Sequence, residues 1–252
     1  MSFEVAGEAY DRFMGRYSRP LAADFADWLE PTYGQRAVDV GCGPGALTGA
    51  LVDRLGADRV SAVDPSAPFV DAVRSRLPGV DVRQGTADSL PYDDDTFDVA
   101  AACLVVHFMP DPVAGLTEMV RVTRPGGWIA ATVWDLAGAR APMWPVWEAF
   151  GVIRPGGLAE ERLPAGTEDG LRRMLGVAGV RDIESLEMPV VVTHDSFEEW
   201  WTPYLEGVGP IGAELAALDA TDRERIEELC RDRLGAGPFD LTAVAYAVRG
   251  RA

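Results

Sequence analysis

Apolar runs alternate with stretches of helical period through the first half of the chain. Ala37 to Val40, Val60 to Val63, Val80 to Arg83, Phe97 to Val105 and Trp128 to Val133 read as strands. Between them, apolar residues recur three or four apart: Leu47, Leu51, Leu55; then Phe69, Val73, Leu77; then Leu116, Met119, Val120. Strand and helix in alternation predict an α/β fold with a parallel sheet and right-handed crossovers. Ser66 is placed to cap the second helix with Pro68 in its first turn, and Pro125-Gly126-Gly127 is expected to stop the helix carrying Leu116. Past Val133 the pattern loosens. Gly138, Pro142, Pro145, Pro155, Gly156, Gly157, Pro164 and Gly166 break residues 135–167 into a loop-rich lid, with room for one short helix from Trp144 to Ile153. Leu171 to Gly179 reads as a helix, Arg181 to Thr193 and Leu241 to Val248 as strands, and 195–237 as an insertion between those two strands.

The first strand runs into Gly41-Cys42-Gly43-Pro44-Gly45, a glycine-rich turn that opens a helix. An acidic residue, Asp64, ends the next strand at the separation where a ribose-binding carboxylate sits in nucleotide folds. Gly41-x-Gly43-x-x-Ala46 also satisfies the dinucleotide fingerprint, so a nicotinamide dehydrogenase is the first rival. Two residues argue against it. Asp39 puts a carboxylate inside a strand that should be apolar on both faces, and a buried carboxylate needs donors or a cationic ligand. Pro44 removes an amide that could cradle a pyrophosphate. Gly41, Asp64, Cys103 and Asp135 all fall at carboxyl ends of predicted strands and are expected to share one cleft.

From Asp39 to Gly45 the chain resembles the first motif of the class I S-adenosylmethionine-dependent methyltransferases. The resemblance continues through Ala62-Val63-Asp64-Pro65-Ser66, Gly85-Thr86-Ala87-Asp88-Ser89-Leu90-Pro91-Tyr92, Phe97-Asp98-Val99, Leu104 to Asp111 and Arg124-Pro125-Gly126-Gly127. The set is similar to the ubiquinone/menaquinone-biosynthesis type of methyltransferase domain. It implies a Rossmann-like, doubly wound, mostly parallel sheet with an antiparallel last strand and a lid built from insertions. The expected organisation is one domain over 1–252: an N-terminal helical cap over 1–35, a cofactor-binding core over 36–134, and a substrate lid from 135–167 and 195–237.

The resemblance also implies roles. S-adenosyl-L-methionine would lie over Gly41, Gly43 and Gly45, with Asp39 nearby and Asp64 accepting from the ribose hydroxyls beside Pro65 and Ser66. Thr86, Ala87 and Asp88 occupy the adenine-facing place, although the acid that many relatives carry there is missing, and Cys103 adds to the cofactor wall. Tyr10 to Ser18 resembles the leading segment that such enzymes fold over the cofactor, with Arg16 as partner for its carboxylate; the spacing of Tyr10, Phe13, Met14 and Tyr17 is equally that of a core stripe. His107 falls where relatives often carry a histidine facing the transferred methyl. It is the candidate general base, oriented by Asp135, or else a packed loop histidine. His194 reads as structural.

Composition narrows the substrate. The chain has 252 residues, is 48% hydrophobic and carries a net charge of −17 with no lysine. Such a surface repels phosphate backbones and anionic membranes, so nucleic acid and lipid-surface partners are disfavoured and a small neutral or cationic acceptor fits best. Cys42, Cys103 and Cys230 are far apart, suggesting neither disulfides nor a metal site. No apolar run is long enough to cross a membrane and the first residues lack the form of a signal peptide, so a cytoplasmic monomer or homodimer is expected. Trp134, Trp144, Trp200 and Tyr204 in or beside the lid suggest an aromatic or lipophilic acceptor, while ordinary lid packing explains them equally. A small-molecule methyltransferase leads. A cyclase or isomerase using the same cofactor without methyl transfer comes second, since it needs the same loop and only a different substrate cavity.

Overall fold

The computed structural model describes residues 10–154 and 166–252. Pro155, Gly156, Gly157 and Pro164 of the expected lid lie outside them. Strands β1 (Ala37–Val40), β2 (Val60–Asp64), β3 (Asp81–Gln84), β4 (Phe97–Cys103), β5 (Thr123–Trp134), β6 (Arg181–His194) and β7 (Phe239–Arg251) form one sheet in the order β3-β2-β1-β4-β5-β7-β6. The first five are parallel, and β7 runs antiparallel between β5 and β6. The order reverses direction at β1, with β2 on one side and β4 on the other. That reversal opens a crevice at the carboxyl ends of these strands.

Helices cover both faces. Helix α1 (Arg16–Leu29) follows a π-helical turn, Asp11–Gly15, and presents Tyr17, Leu21, Phe25 and Leu29 at four-residue spacing to the core. It shares that face with α2 (Ala46–Leu55), through Leu47, Leu51 and Leu55. The opposite face receives α4 (Pro112–Val122) and α6 (Glu168–Val177), whereas α3 (Ala67–Arg76) lies on the α1 face, over β2 and β3 through Ala62 and Val82. The period of two in β4 serves both layers: Val99 and Ala101 join the α1 side, Ala100 and Ala102 the α4 side. A second helical group, α5 (Trp144–Ile153), α7 (Phe197–Trp201), α8 (Gly209–Ala216) and α9 (Ala220–Leu234), packs beside α1.

One boundary departs from the sequence reading. Helix α4 ends at Val122, before Pro125-Gly126-Gly127, and β5 begins at once. Phe97 pairs with Thr123 and Val99 with Trp128, so the Pro-Gly-Gly stretch is looped out of the ladder instead of stopping the helix. Among the described residues no helix is long and apolar enough to cross a membrane.

Candidate functional site

A cavity of about 940 Å³ occupies the crevice. Its floor is the turn after β1, which is stitched down by its own amides. Gly41 and Cys42 donate to the Val63 carbonyl at 2.8 and 3.0 Å, and Gly45 donates to Cys42 at 3.0 Å. Gly43 donates to Asp64 Oδ2 at 2.9 Å. With Pro44 lacking an N–H, these five residues leave no amide for a phosphate.

The three glycines are required for different reasons. All have positive φ, at 73°, 51° and 96°. A Cβ on Gly41 would come within 2.4 Å of the Val105 side chain, and one on Gly45 within 3.0 Å of Val73, whereas at Gly43 nothing lies within 4 Å. Protein packing, not a ligand, therefore demands glycine at 41 and 45. Only Gly43 leaves open space of the kind expected beneath a bound molecule. Gly41 and Gly43 line the cavity and Gly45 does not.

Two buried carboxylates sit beside the turn. Asp64 uses both oxygens on backbone, accepting from Gly43 and, at 2.8 Å, from Ser66; burial raises its pKa. Asp39 is 1% exposed and accepts from the Thr48 hydroxyl at 2.6 Å through Oδ2, while Oδ1 has no partner among the described residues. Burial pushes its pKa up to about 7, the Thr48 hydrogen bond opposes the rise, and the Asp64 charge adds to it. The other charged residues of the lining are Asp88 and Asp111, with no arginine among the described residues. A cavity with four aspartates, an orphaned buried oxygen and a glycine turn whose amides are all engaged suits a cationic ligand and disfavours a pyrophosphate. The residues present thus fit a sulfonium cofactor.

Pro65, Ser66, Thr86, Ala87, Asp88, Cys103 and Tyr10 also reach this cavity. Phe69 faces Tyr10 edge-on at 5.6 Å across its rim. The sequence reading counted Phe69 only as a helix-core position; its place in the first turn of α3, directly after Asp64, was the available signal. Leu104 and Val105 were missed as well. Leu104 is held at φ 60°, a costly conformation for a bulky side chain, between Cys103 and the turn that carries His107. No feature of its sequence neighbourhood announces that.

His107 lies on a short 3-10 turn after β4 and is 7% exposed. Its Nδ1 has no partner among the described residues, and burial lowers its pKa to about 4. The ring is neutral near pH 7. It borders both the large cavity and a chamber of about 30 Å³ behind it, where Trp134 also contributes.

Other expected residues are engaged elsewhere. Asp135 is buried, accepts from Arg140 at 2.5 Å and from the Gly138 amide at 2.8 Å, and lines neither cavity, so it does not orient His107. Arg140, five residues on, captures it and also bonds Glu187 and the Tyr246 hydroxyl. Arg16 is drawn to Glu199 at 3.0 Å, the Thr193 carbonyl at 3.0 Å and His194 Nδ1 at 3.2 Å, and does not reach the cavity lining. Because arginine can only donate, His194 must carry its proton on Nε2 and donate to Tyr17 at 2.7 Å. Trp200 and Tyr204 are 2% and 4% exposed within a ring cluster with Phe197 and Trp201, and Trp144 packs edge-on against Trp147. None of the three lines the large cavity or the chamber behind it. The aromatic residues of the lid are its core.

Residues 38–131 match the methyltransferase domain family. The uncharacterized methyltransferase Rv3342 of Mycobacterium tuberculosis is 40% identical over 140 residues, 56% of this chain and 54% of that protein. The 2-methyl-6-phytyl-1,4-hydroquinone methyltransferase 1 of Oryza sativa subsp. japonica is 36% identical over 107 residues, 40% of this chain and 32% of that protein. This chain thus spans about half the length of the first and a third of the second. The fold is similar to that of the Bacillus subtilis protein YcgJ, with a TM-score of 0.60 at 16% identity over 92% of this chain and 98% of that one. Ordered motifs, acid-lined crevice and family match converge on residues 38–131, which carry a methyltransferase domain.

Proposed function

We propose that this chain transfers a methyl group from S-adenosyl-L-methionine to a small-molecule acceptor of aromatic or lipophilic kind. The observation that carries the reading is the pairing of Asp39, whose Oδ1 is buried without a partner, with a glycine turn whose amides are all engaged. Such a site gains from a cation, and its acidic lining disfavours a phosphate. When bound, the cofactor supplies a methyl group made electrophilic by a positively charged sulfur.

The protein's part is mainly alignment and exclusion of water. Asp39 would face the cationic portion of the cofactor. Asp64, already immobilised by two amides, would accept from ribose hydroxyls, beside Pro65 and Ser66. Thr86, Ala87 and Asp88 would meet the adenine, with Cys103 on the adjoining wall. Tyr10 and Phe69 would close the outer rim. His107 is neutral near pH 7 and able to take a proton from a hydroxyl acceptor at Nδ1. The net charge of −17 supports a small acceptor over nucleic acid.

The test is incubation with S-adenosylmethionine labelled in its methyl group and a panel of phenols, hydroquinones and amines. Label passing to an organic-extractable product is expected. Cofactor that binds but stays intact with every acceptor, while one of them is rearranged, would favour the cyclase or isomerase reading.

A further inference from the structure

The chamber behind the large cavity is formed by segments distant in sequence. The π-helical turn supplies Phe13 and Met14, the end of β5 supplies Trp134, and the start of α8 supplies Gly209, Pro210 and Ile211. Tyr10, Leu104, His107 and Phe108 form the wall it shares with the cofactor cavity. Among the described residues its lining contains no charged side chain, and His107 on the shared wall presents a buried Nδ1 without a partner. At about 30 Å³ it has room for about one water molecule. In this state no organic acceptor fits there.

One wall meets the other across a glycine-flanked junction. The short 3-10 turn Thr202–Glu206 and α8 meet the π-helical turn through Phe13 and Tyr204, edge-on at 5.0 Å, and through Arg12 and Glu206, paired at 2.9 and 3.1 Å. Gly207 and Gly209, at φ 72° and 68°, flank the buried Val208 between those two elements. A Cβ on Gly212 would come within 2.7 Å of the Gly207 backbone, so the closed packing depends on glycine there. The junction is thus glycine-articulated and clasped at its surface by an ion pair of modest strength.

We propose that this chamber is the collapsed seat of the methyl acceptor, that it admits only an uncharged apolar ring or chain, and that residues 202–212 swing from the π-helical turn to admit it. The name acceptor rests on the methyltransferase reading; the seat and its selectivity do not. Among the described residues this lining offers no cation to compensate the desolvation of a carboxylate. Ile211 limits the depth of the seat. Arg12 and Glu206 limit how often it opens.

The test uses binding of 2-naphthol and 2-naphthoate to the full chain, measured by calorimetry with and without S-adenosylhomocysteine. Naphthol is expected to bind and naphthoate to bind at least tenfold more weakly. Ile211→Trp should abolish naphthol binding while S-adenosylhomocysteine affinity stays within twofold. Should that variant not fold, Glu206→Gln provides the second arm: the association rate of naphthol in stopped flow should rise about three- to tenfold, with cofactor affinity unchanged. Equal binding of the two probes, naphthol binding untouched by a folded Ile211→Trp, or an unchanged rate in Glu206→Gln would each overturn the proposal. If S-adenosylhomocysteine fails to bind while naphthol behaves as described, the cofactor reading falls and the seat stands.

Discussion

The large cavity holds about 940 Å³ and is bordered by four aspartates; the chamber behind it holds about 30 Å³ and, among the described residues, is bordered by none. The first is made almost wholly of strand-end loops whose residues are consecutive in sequence. The second is made from a turn near residue 13, a strand end at 134 and a helix start at 209. A fixed cofactor can be met by backbone geometry that short motifs encode. An acceptor is met by side chains that the rest of the fold happens to deliver to one place, and those can change without disturbing the sheet.

The largest effect should come from the wall the two share. His107→Gln keeps a polar side chain of similar reach but no base, and on a hydroxyl acceptor it should lower turnover about 10²- to 10⁴-fold with little change in cofactor affinity. Steady-state kinetics beside a binding isotherm checks it. Full turnover would mean that alignment alone suffices. Next come the two glycines that look alike in sequence. Gly41→Ala, forced against Val105 at positive φ, should cost roughly 2–4 kcal/mol of stability. Gly43→Ala should cost only about 1 kcal/mol of stability and act instead on cofactor affinity. Denaturation curves and titrations on both variants separate the roles; equal loss of stability in the two would erase the distinction.

These glycines show how far the sequence could be read. The turn, its strand and its helix follow from local pattern, as do the acids at its edges, because each is decided by neighbours within a few residues. Which glycine faces a ligand was not legible, since it depends on Val105 arriving from the segment after β4 and Val73 from helix α3. The same holds for Asp135 and Arg16. Asp135 occupies the strand end where a cleft residue belongs, yet Arg140 and the Gly138 amide fold back onto it. Arg16 sits in the leading segment as the resemblance implies, yet Glu199 and His194, brought in by β6 and α7, hold it away from the cavity. The aromatic residues of the lid could be recognised as a cluster, but periodicity over so short a helix as α7 could not tell pocket from core. Burial of Trp200 and Tyr204 makes them structural, so truncating either should unfold the lid instead of merely raising KM.

Asp64→Ala should weaken cofactor binding by about 1.5–3 kcal/mol, the cost of losing hydrogen bonds to a charged group. Because Asp64 also holds the Gly43 and Ser66 amides, some loss of thermal stability should accompany it. An unchanged dissociation constant in a folded variant would reduce Asp64 to a loop staple.

The smallest effect is a pH dependence. Burial holds Asp39 at about 7 in the folded chain against an ordinary value of 3.8, so the folded state keeps a proton that the unfolded state has released. The stability this contributes is fully present below about pH 4 and is lost as pH rises through about 7. A cationic ligand has the opposite preference, for the carboxylate. Its dissociation constant should rise about tenfold per pH unit below 7, and Asp39→Asn should flatten that slope. A flat profile in the unaltered chain would remove Asp39 from the ligand's reach.

An acid-lined crevice whose glycine turn has no free amide is expected to select a sulfonium nucleotide over a pyrophosphate one. Calorimetry at pH 7.5 tests it most directly, titrating S-adenosylmethionine, its demethylated product and NAD into the same protein. Micromolar binding of the first two, near −8 kcal/mol, with no heat from NAD is the predicted result. Tight NAD binding with no response to either sulfur nucleotide would contradict the account.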